Sequence, residues 1–471
     1  MLKPHRRDFL AAGAATALAA PPWSASEQAR AQLPQAKHRP RIAALFTVLR
    51  FRSHAYNILE NFLGPYYFNG QLRDPGVDIV SFYADQFPAD DMAKEVARRF
   101  KIPLFSSIEQ AMCVGGRSLD VDGVLLIGEH GDYPYNEIGQ HLYPRKQFFD
   151  QAIAVMERAG RFVPLFNDKH LSYRWDWAKQ MHDTTQQHRM PLLAGSSVPL
   201  AERRPPLELP AGAKIVEAVS VHGGGLESYD FHGIEVLQSI VESRHGGETG
   251  VARIELVHGE AYQQALREGR WSQDLVDAAM AAERSLAPSD GKPLRQQRPR
   301  GGVFQPATPN SSQERQQTPA RPAGDYAICI EYLDGLRATV LKQGGGSDRW
   351  NFACRVADDP KPRATAFFNG PWGNRCLFKA LSHAIQHLFI HREEPYPSER
   401  TLLTTGMTEA GVQSFAAGTP IETPHLRIAY QAREWAKFRE TGESWKQLTV
   451  DTPQPTTFQP REPLAPRTLP R

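Results

Sequence analysis

Residues 41–55, Arg41-Ile42-Ala43-Ala44-Leu45-Phe46-Thr47-Val48-Leu49-Arg50-Phe51-Arg52-Ser53-His54-Ala55, decide how this chain is read. The apolar run predicts a buried strand, the residues after it a tight turn, and the last residues a helix start. That is the opening unit of a nucleotide-binding α/β domain. Such a unit usually carries Gly-x-Gly-x-x-Gly. The glycines make the turn tight, let the backbone approach a pyrophosphate, and let helix and strand pack closely. Here the register puts Phe46, Val48 and Phe51 at those places. The frame of a dinucleotide site is kept while its phosphate cradle is filled with side chains, and a functional reading must account for both.

Working outward, short apolar runs at 42–48, 78–83, 123–127 and 162–166 alternate with helical stretches at 55–62, 90–100, 107–113 and 144–159. A further helix is expected at 175–187 and a short strand at 191–194. Alternating strand and helix predict a parallel sheet with helices on both faces, so residues 41–201 read as a Rossmann-like domain. A proline-rich crossing at 205–210 leads to a second domain, 213–430. Its strands are expected at 214–221, 253–257, 326–333, 336–343, 350–356 and 363–368. Asp334-Gly335 marks a hairpin. Helices are expected at 234–243, 259–286, 376–389 and 397–415. The fold class is α/β: a Rossmann-like parallel sheet followed by an α/β domain with a largely antiparallel sheet. Residues 288–324, rich in Pro, Gln, Arg and Ser, read as a mobile insertion, and 431–471 as a loosely packed proline-rich tail.

The 471 residues suffice for two or three domains. A net charge of +3 without a basic-aromatic stripe gives no case for nucleic acid. His5-Arg6-Arg7-Asp8-Phe9-Leu10 before an Ala-rich run reads as a twin-arginine export signal within residues 1–31, so a periplasmic or secreted location is expected. No run approaches the ~18 apolar residues of a membrane span. The cysteines, Cys113, Cys329, Cys354 and Cys376, form no Cys-x-x-Cys pair. An oxidising compartment permits disulfides, and buried free thiols fit the sequence equally well.

Three segments resemble the glucose–fructose oxidoreductase, inositol dehydrogenase and rhizopine-catabolism (Gfo/Idh/MocA) family, over roughly 41–423. The first is Arg41 to His54-Ala55. The second runs from Ala93 to Met181 and includes Val121-Asp122-Gly123-Val124-Leu125-Leu126-Ile127. There Asp168-Lys169-His170 stands where the family has Glu-Lys-Pro. The third is Tyr396-Pro397-Ser398-Glu399-Arg400 through Gly418, like the family's closing helix. The resemblance implies NAD(P), a sugar or polyol substrate, and a second-domain sheet that is open and mediates homo-oligomer formation. It makes Lys169 the active-site lysine, although a surface lysine would look the same in sequence.

His222-Gly223-Gly224-Gly225-Leu226-Glu227-Ser228-Tyr229-Asp230-Phe231-His232 resembles the family's downstream proton-transfer stretch. Asp230 precedes His232 by two residues rather than four, and Ser228 takes the family's acid position. His232 and Asp230 are the candidate partners of Lys169; a helix-capping acid and a packed histidine explain them as well. Thr47 in the first turn, Asp85 after the second strand, and Glu129 and His130 after the fourth are the candidate cofactor contacts. Asp85 reads equally as a turn aspartate.

The side chains of His54, Glu129, His130, Asp132, Asp168, His170, His222, Glu227, Asp230 and His232 could all face one crevice at the strand ends. No His-Glu-x-x-His spacing occurs, so no metal site is assigned. Three functions stay open: an exported oxidoreductase on a sugar or polyol, a cofactor-independent or metal-assisted hydrolase or lyase, and a non-catalytic carbohydrate-binding protein.

Overall fold

The first strand, β1 (Arg41–Phe46), is apolar on both faces because both are covered. Ile42, Ala44 and Phe46 enter one core, and Ala43 and Leu45 enter another, as strand alternation requires. The chain continues through α1 (His54–Leu59), the hairpin β2 (Tyr66–Phe68) and β3 (Gln71–Arg73), β4 (Asp78–Ala84), α2 (Ala93–Phe100), β5 (Leu104–Phe105) and α3 (Ile108–Met112). Then come β6 (Gly123–Ile127), α4 (Arg145–Ala159), β7 (Leu165–Asp168), α5 (Trp175–Gln187) and β8 (Leu192–Gly195). The computed structural model describes residues 39–286, 321–357 and 359–458.

The first sheet has the order β5-β4-β1-β6-β7-β8, all parallel. With the hairpin set aside, this is strand order 3-2-1-4-5-6, the doubly wound arrangement. β1 is central, as its sequence predicts. Ser53 caps α1, its hydroxyl accepting the Tyr56 N–H at 3.2 Å.

The second layer contains β9 (Glu202–Arg204), β10 (Ile215–His222), α6 (Ser228–Val241), β11 (Val251–His258), α7 (Gly259–Arg267) and α8 (Gln273–Ala282). It continues with β12 (Tyr326–Tyr332), β13 (Arg337–Lys342), β14 (Trp350–Val356), β15 (Asp359–Phe368), α9 (Asn374–His391), α10 (Ser398–Ala417) and β16 (Ile421–Glu422). The sheet order is β16-β11-β12-β13-β10-β14-β15-β9. Only β10 and β13 run parallel.

Two features depart from the expectations. The second sheet is not open on its outer side. Val219, Val221, Ala327, Cys329, Leu341 and Ala353 point away from α6 and α10, and α7 and α8 cover them with Tyr262, Leu275, Val276 and Ala279. Burial on both faces explains why β10 and β12 are nearly continuous apolar runs rather than alternating ones. It also covers the central surface through which a homo-oligomer was expected to form.

The second departure concerns the chain's end. Trp435, Phe438 and Phe458 are buried in the core that α1 and α9 share with the parallel sheet. Residues 431–458 are therefore packed structure, anchored by three aromatic side chains that a count of polar and proline residues hides. Residues 459–471, the stretch 1–31 read above as an export signal, and residues 288–320 of the stretch read as a mobile insertion lie outside the described residues. All four cysteines are buried free thiols.

Candidate active site at the strand ends

The strand order reverses between β1 and β6, and ligands of open α/β sheets gather at the carboxyl ends beside such a reversal. β1 runs out into Thr47, β6 into Gly128-Glu129-His130, and β7 ends at Asp168 before Lys169. The start of α6 supplies the second layer's contribution.

Glu129 is the electrostatic centre. Lys169 Nζ donates to its Oε1 at 2.8 Å, and Arg145 donates through Nη2 to its Oε2. Burial pushes the carboxyl pKa up, but the Lys169 and Arg145 charges outweigh it and hold it well below the usual range. Arg145 opens α4, where a cation opposes the helix dipole; only a buried acid such as Glu129 makes that position tolerable. Gly128 makes room for it, since a Cβ there would lie 2.8 Å from Arg145 Cγ. Lys169 also donates to Ser228 Oγ at 3.3 Å. Its third N–H has no acceptor among the described residues. The Lys169 backbone sits at φ 61°, a left-handed conformation that costs a non-glycine residue energy.

Glu227 faces the same charges. It is the middle residue of a γ-turn, φ 67° and ψ −69°, closed by the Ser228 N–H donating to Leu226 O at 2.9 Å. That turn is the rare, strained kind. Glu227 Oε2 accepts the His141 N–H at 2.9 Å, and the side chain faces the Asp230 N–H in a capping box, while the buried Oε1 has no hydrogen-bond partner among the described residues. Burial raises its pKa to about 7, against the opposing pull of the His141 N–H and Arg145. A carboxyl near 7 with one unoccupied oxygen is suited to exchange a proton at neutral pH.

The other predicted residues sort around this centre. His232 Nδ1 lies 2.5 Å from Ser196 Oγ; burial, then the Lys169 and His54 charges, hold its pKa well below the ordinary value, so it stands neutral. His54 Nδ1 meets Asp168 Oδ2 at 2.6 Å. His170 Nε2 lies 3.3 Å from Arg145 Nη1.

Asp230 has other partners. Its Oδ2 accepts the Glu227 N–H at 2.8 Å, capping α6, and its Oδ1 accepts the Tyr326 hydroxyl at 2.8 Å. No hydrogen bond joins it to Lys169. Asp132 is exposed, away from the cluster. His222 lies behind, its Nε2 3.0 Å from Asp230 Oδ1.

The first turn does not fit a dinucleotide diphosphate. Phe46 and Val48 are fully buried, and Phe46 packs edge-on to Phe82 at 5.4 Å. Phe51 is half-buried against Tyr56. Three of the turn's backbone donors are already used. Thr47 N–H bonds Ile127 O, Arg50 N–H bonds Ser53 Oγ, and Leu49 N–H bonds the Asp91 carboxylate at 3.1 Å. Asp91 also accepts the Ala93 N–H at 2.9 Å. An anionic side chain thus stands where a phosphate would be received.

The candidate cofactor contacts follow suit. Thr47 donates its hydroxyl to Glu129 O at 2.7 Å, and Glu129 is taken up by its two cations. His130 turns at φ 71° and packs edge-on to His54. Asp85 is exposed and accepts the Tyr83 and Tyr133 hydroxyls at 2.7 and 2.6 Å. Nor do the acids and histidines suit a metal. Among the described residues no three such side chains are arranged as ligands, and the central acid already holds two cations.

No family model and no curated protein matches the chain. Solved structures do. The chain is similar to GenD2 from gentamicin A biosynthesis in complex with NAD, at 11% identity and a TM-score of 0.49, over 82% of this chain and 96% of that one. It is similar to the scyllo-inositol dehydrogenase from Lactobacillus casei with bound NAD(H) and scyllo-inositol, at 10% identity and a TM-score of 0.47, over 82% and 99%. It is likewise similar to a myo-inositol dehydrogenase from Corynebacterium glutamicum, at 11% identity and a TM-score of 0.46, over 82% and 99%. The inositol dehydrogenases are of the class named by the sequence resemblance. At these identities the function has to be argued from the site.

Sequence reasoning missed Arg145 and Ser196, and assigned Glu227 no role. An arginine in the first turn of the expected 144–159 helix was the available signal for Arg145, because a buried cation there calls for an acid nearby. Nothing local marks the γ-turn at Glu227.

Proposed function

We propose that this chain is an enzyme acting on a sugar or a related hydroxy-carbonyl compound by proton transfer, with Glu227 as the acid–base and Lys169 as the group that holds the substrate oxygen. The observation that carries this reading is Glu227 itself: buried, strained, with a pKa raised to about 7, and with one oxygen unpartnered among the described residues. The reaction that suits it is elimination. The Glu227 carboxylate takes the proton next to the substrate carbonyl, and the electron pair moves to the carbonyl oxygen, which the third Lys169 N–H stabilises. As the pair returns, the neighbouring C–O bond breaks and the hydroxyl leaves as water with the proton Glu227 took.

Glu129 and Arg145 hold Lys169 in place and keep it cationic. Lys169, Glu129 and Glu227 are all buried, so residues covering them must move for substrate to enter. The filled first turn supports a reaction that needs no dinucleotide.

A second reading, hydride transfer to a nicotinamide dinucleotide held away from the first turn, is favoured by the strand order and by Asp85 beyond β4. One experiment separates them. The full chain is incubated in deuterated water with a panel of sugars, sugar acids and polyols, with and without NAD(P), and followed by NMR and by reduced-nicotinamide absorbance. Deuterium exchange or water loss without cofactor, abolished in Glu227→Gln, supports proton transfer. Turnover only with NAD(P) establishes the second reading and removes the first.

We further propose export through the twin-arginine pathway. Replacing Arg6 and Arg7 by lysine is expected to retain the protein in the cytoplasm of a bacterial host; unchanged location removes the proposal.

A further inference from the structure

The crevice lies at the start of α1, and a second, partly open pocket lies beyond that helix's other end. Glu60, Tyr67, Trp372, Arg375, Lys379 and Phe458 are among the residues lining a pocket of about 180 Å³. An engineered apolar cavity of about 150 Å³ in another protein holds benzene, so there is room for one ring. Its charges do not balance. Glu60 is the sole acid in the lining, and Arg375 takes it up with Nε and Nη2, at 2.9 and 2.5 Å.

Lys379 is left over. It is 6% exposed, yet among the described residues it has no hydrogen bond and no ion pair. Its Nζ stands 5.7 Å from the centroid of the Trp372 ring. An ammonium this shielded, with no acceptor beside it among the described residues, favours an anion that can reach it through the pocket. The field there is positive for a second reason. Lys379 lies in the second turn of α9, an 18-residue helix whose N-cap, Gly373, offers no side chain and whose first turn has no acid. Trp372 and Phe458 supply flat apolar walls.

We propose that this pocket binds a single-ring organic acid, its carboxylate on Lys379 Nζ and its ring against Trp372 and Phe458. The proposal is independent of the crevice chemistry. The test is calorimetric titration of the full chain, with tryptophan fluorescence in parallel, using benzoate and glucuronate and their neutral counterparts benzyl alcohol and methyl glucoside. At least one acid should bind saturably, and its counterpart about tenfold more weakly or worse. Lys379→Met should lose the same factor and Lys379→Arg should restore it. Whether benzoate or glucuronate binds identifies the ring as aromatic or as a sugar. Failure of both acids to bind, equal binding of acid and neutral compound, or wild-type affinity in Lys379→Met would each overturn the proposal. The acid-against-neutral comparison needs only the wild-type chain, so a poorly folding variant leaves the test intact.

Discussion

Replacing Glu227 by glutamine should change how stability depends on pH. Burial raises this carboxyl from the ordinary 4.5 to about 7, so the folded state binds its proton more tightly than the unfolded state does. The associated stability is fully present below the unfolded value and is lost as pH rises through the folded one. At ~1.4 kcal/mol per unit the full effect is about 3 kcal/mol, most of which falls between pH of about 5 and about 8.5. Glutamine does not titrate. It keeps an oxygen for the His141 N–H, and whatever its amide nitrogen costs in the unpartnered position is the same at both pH values. Relative to wild type, Glu227→Gln should therefore gain about 2–3 kcal/mol on going from the lower to the higher pH. Urea unfolding of both proteins at the two pH values measures this directly, and every other titrating group cancels in the difference. A gap between the two proteins that does not move with pH would refute a carboxyl raised by burial, and with it the acid–base role.

Three further outcomes follow from the packing and the charges. Phe46→Ala removes a fully buried ring and should cost about 3–5 kcal/mol in unfolding experiments without conferring NAD binding, because Asp91 still occupies the Leu49 N–H. Arg400→Leu should cost a similar ~3–5 kcal/mol, since it leaves the Glu242 carboxylate buried with the Tyr430 hydroxyl as its remaining partner; adding Glu242→Gln should recover part of that loss. Lys169→Met should abolish turnover while substrate still binds, read as a collapse of kcat with a smaller change in KM; unchanged kcat would remove Lys169 from the reaction.

The two-sheet architecture was legible because burial on both faces writes strands as apolar runs between turn signals. β1, the hairpin at Asp334-Gly335 and the long helices α9 and α10 stand close to where their patterns put them. The covering of the second sheet by α7 and α8 was hidden, because a helical stretch at 259–286 does not say which surface it will bury. The packed end of the chain was missed because Trp435, Phe438 and Phe458 are isolated among polar residues, and their contacts depend on α1 and α9 from distant parts of the sequence. The crevice was half legible. Glu129 follows a strand end and was named from that position, and Lys169 from its strand end together with the resemblance to the family's Glu-Lys-Pro. Asp230 was assigned by analogy, whereas three-residue spacing from Glu227 makes it a cap for α6. The importance of Glu227 lies in its burial and its turn, which only the folded chain creates.

The central claim is that the strand order of a dinucleotide-binding fold survives here while its phosphate cradle is closed by Phe46, Val48 and the Asp91 carboxylate. Calorimetric titration of the full chain with NAD, NADH, NADP and NADPH tests it most directly. The account predicts no saturable binding of any of the four at millimolar concentration. Saturable binding that Asp85→Ala weakens would contradict it and return the chain to hydride chemistry.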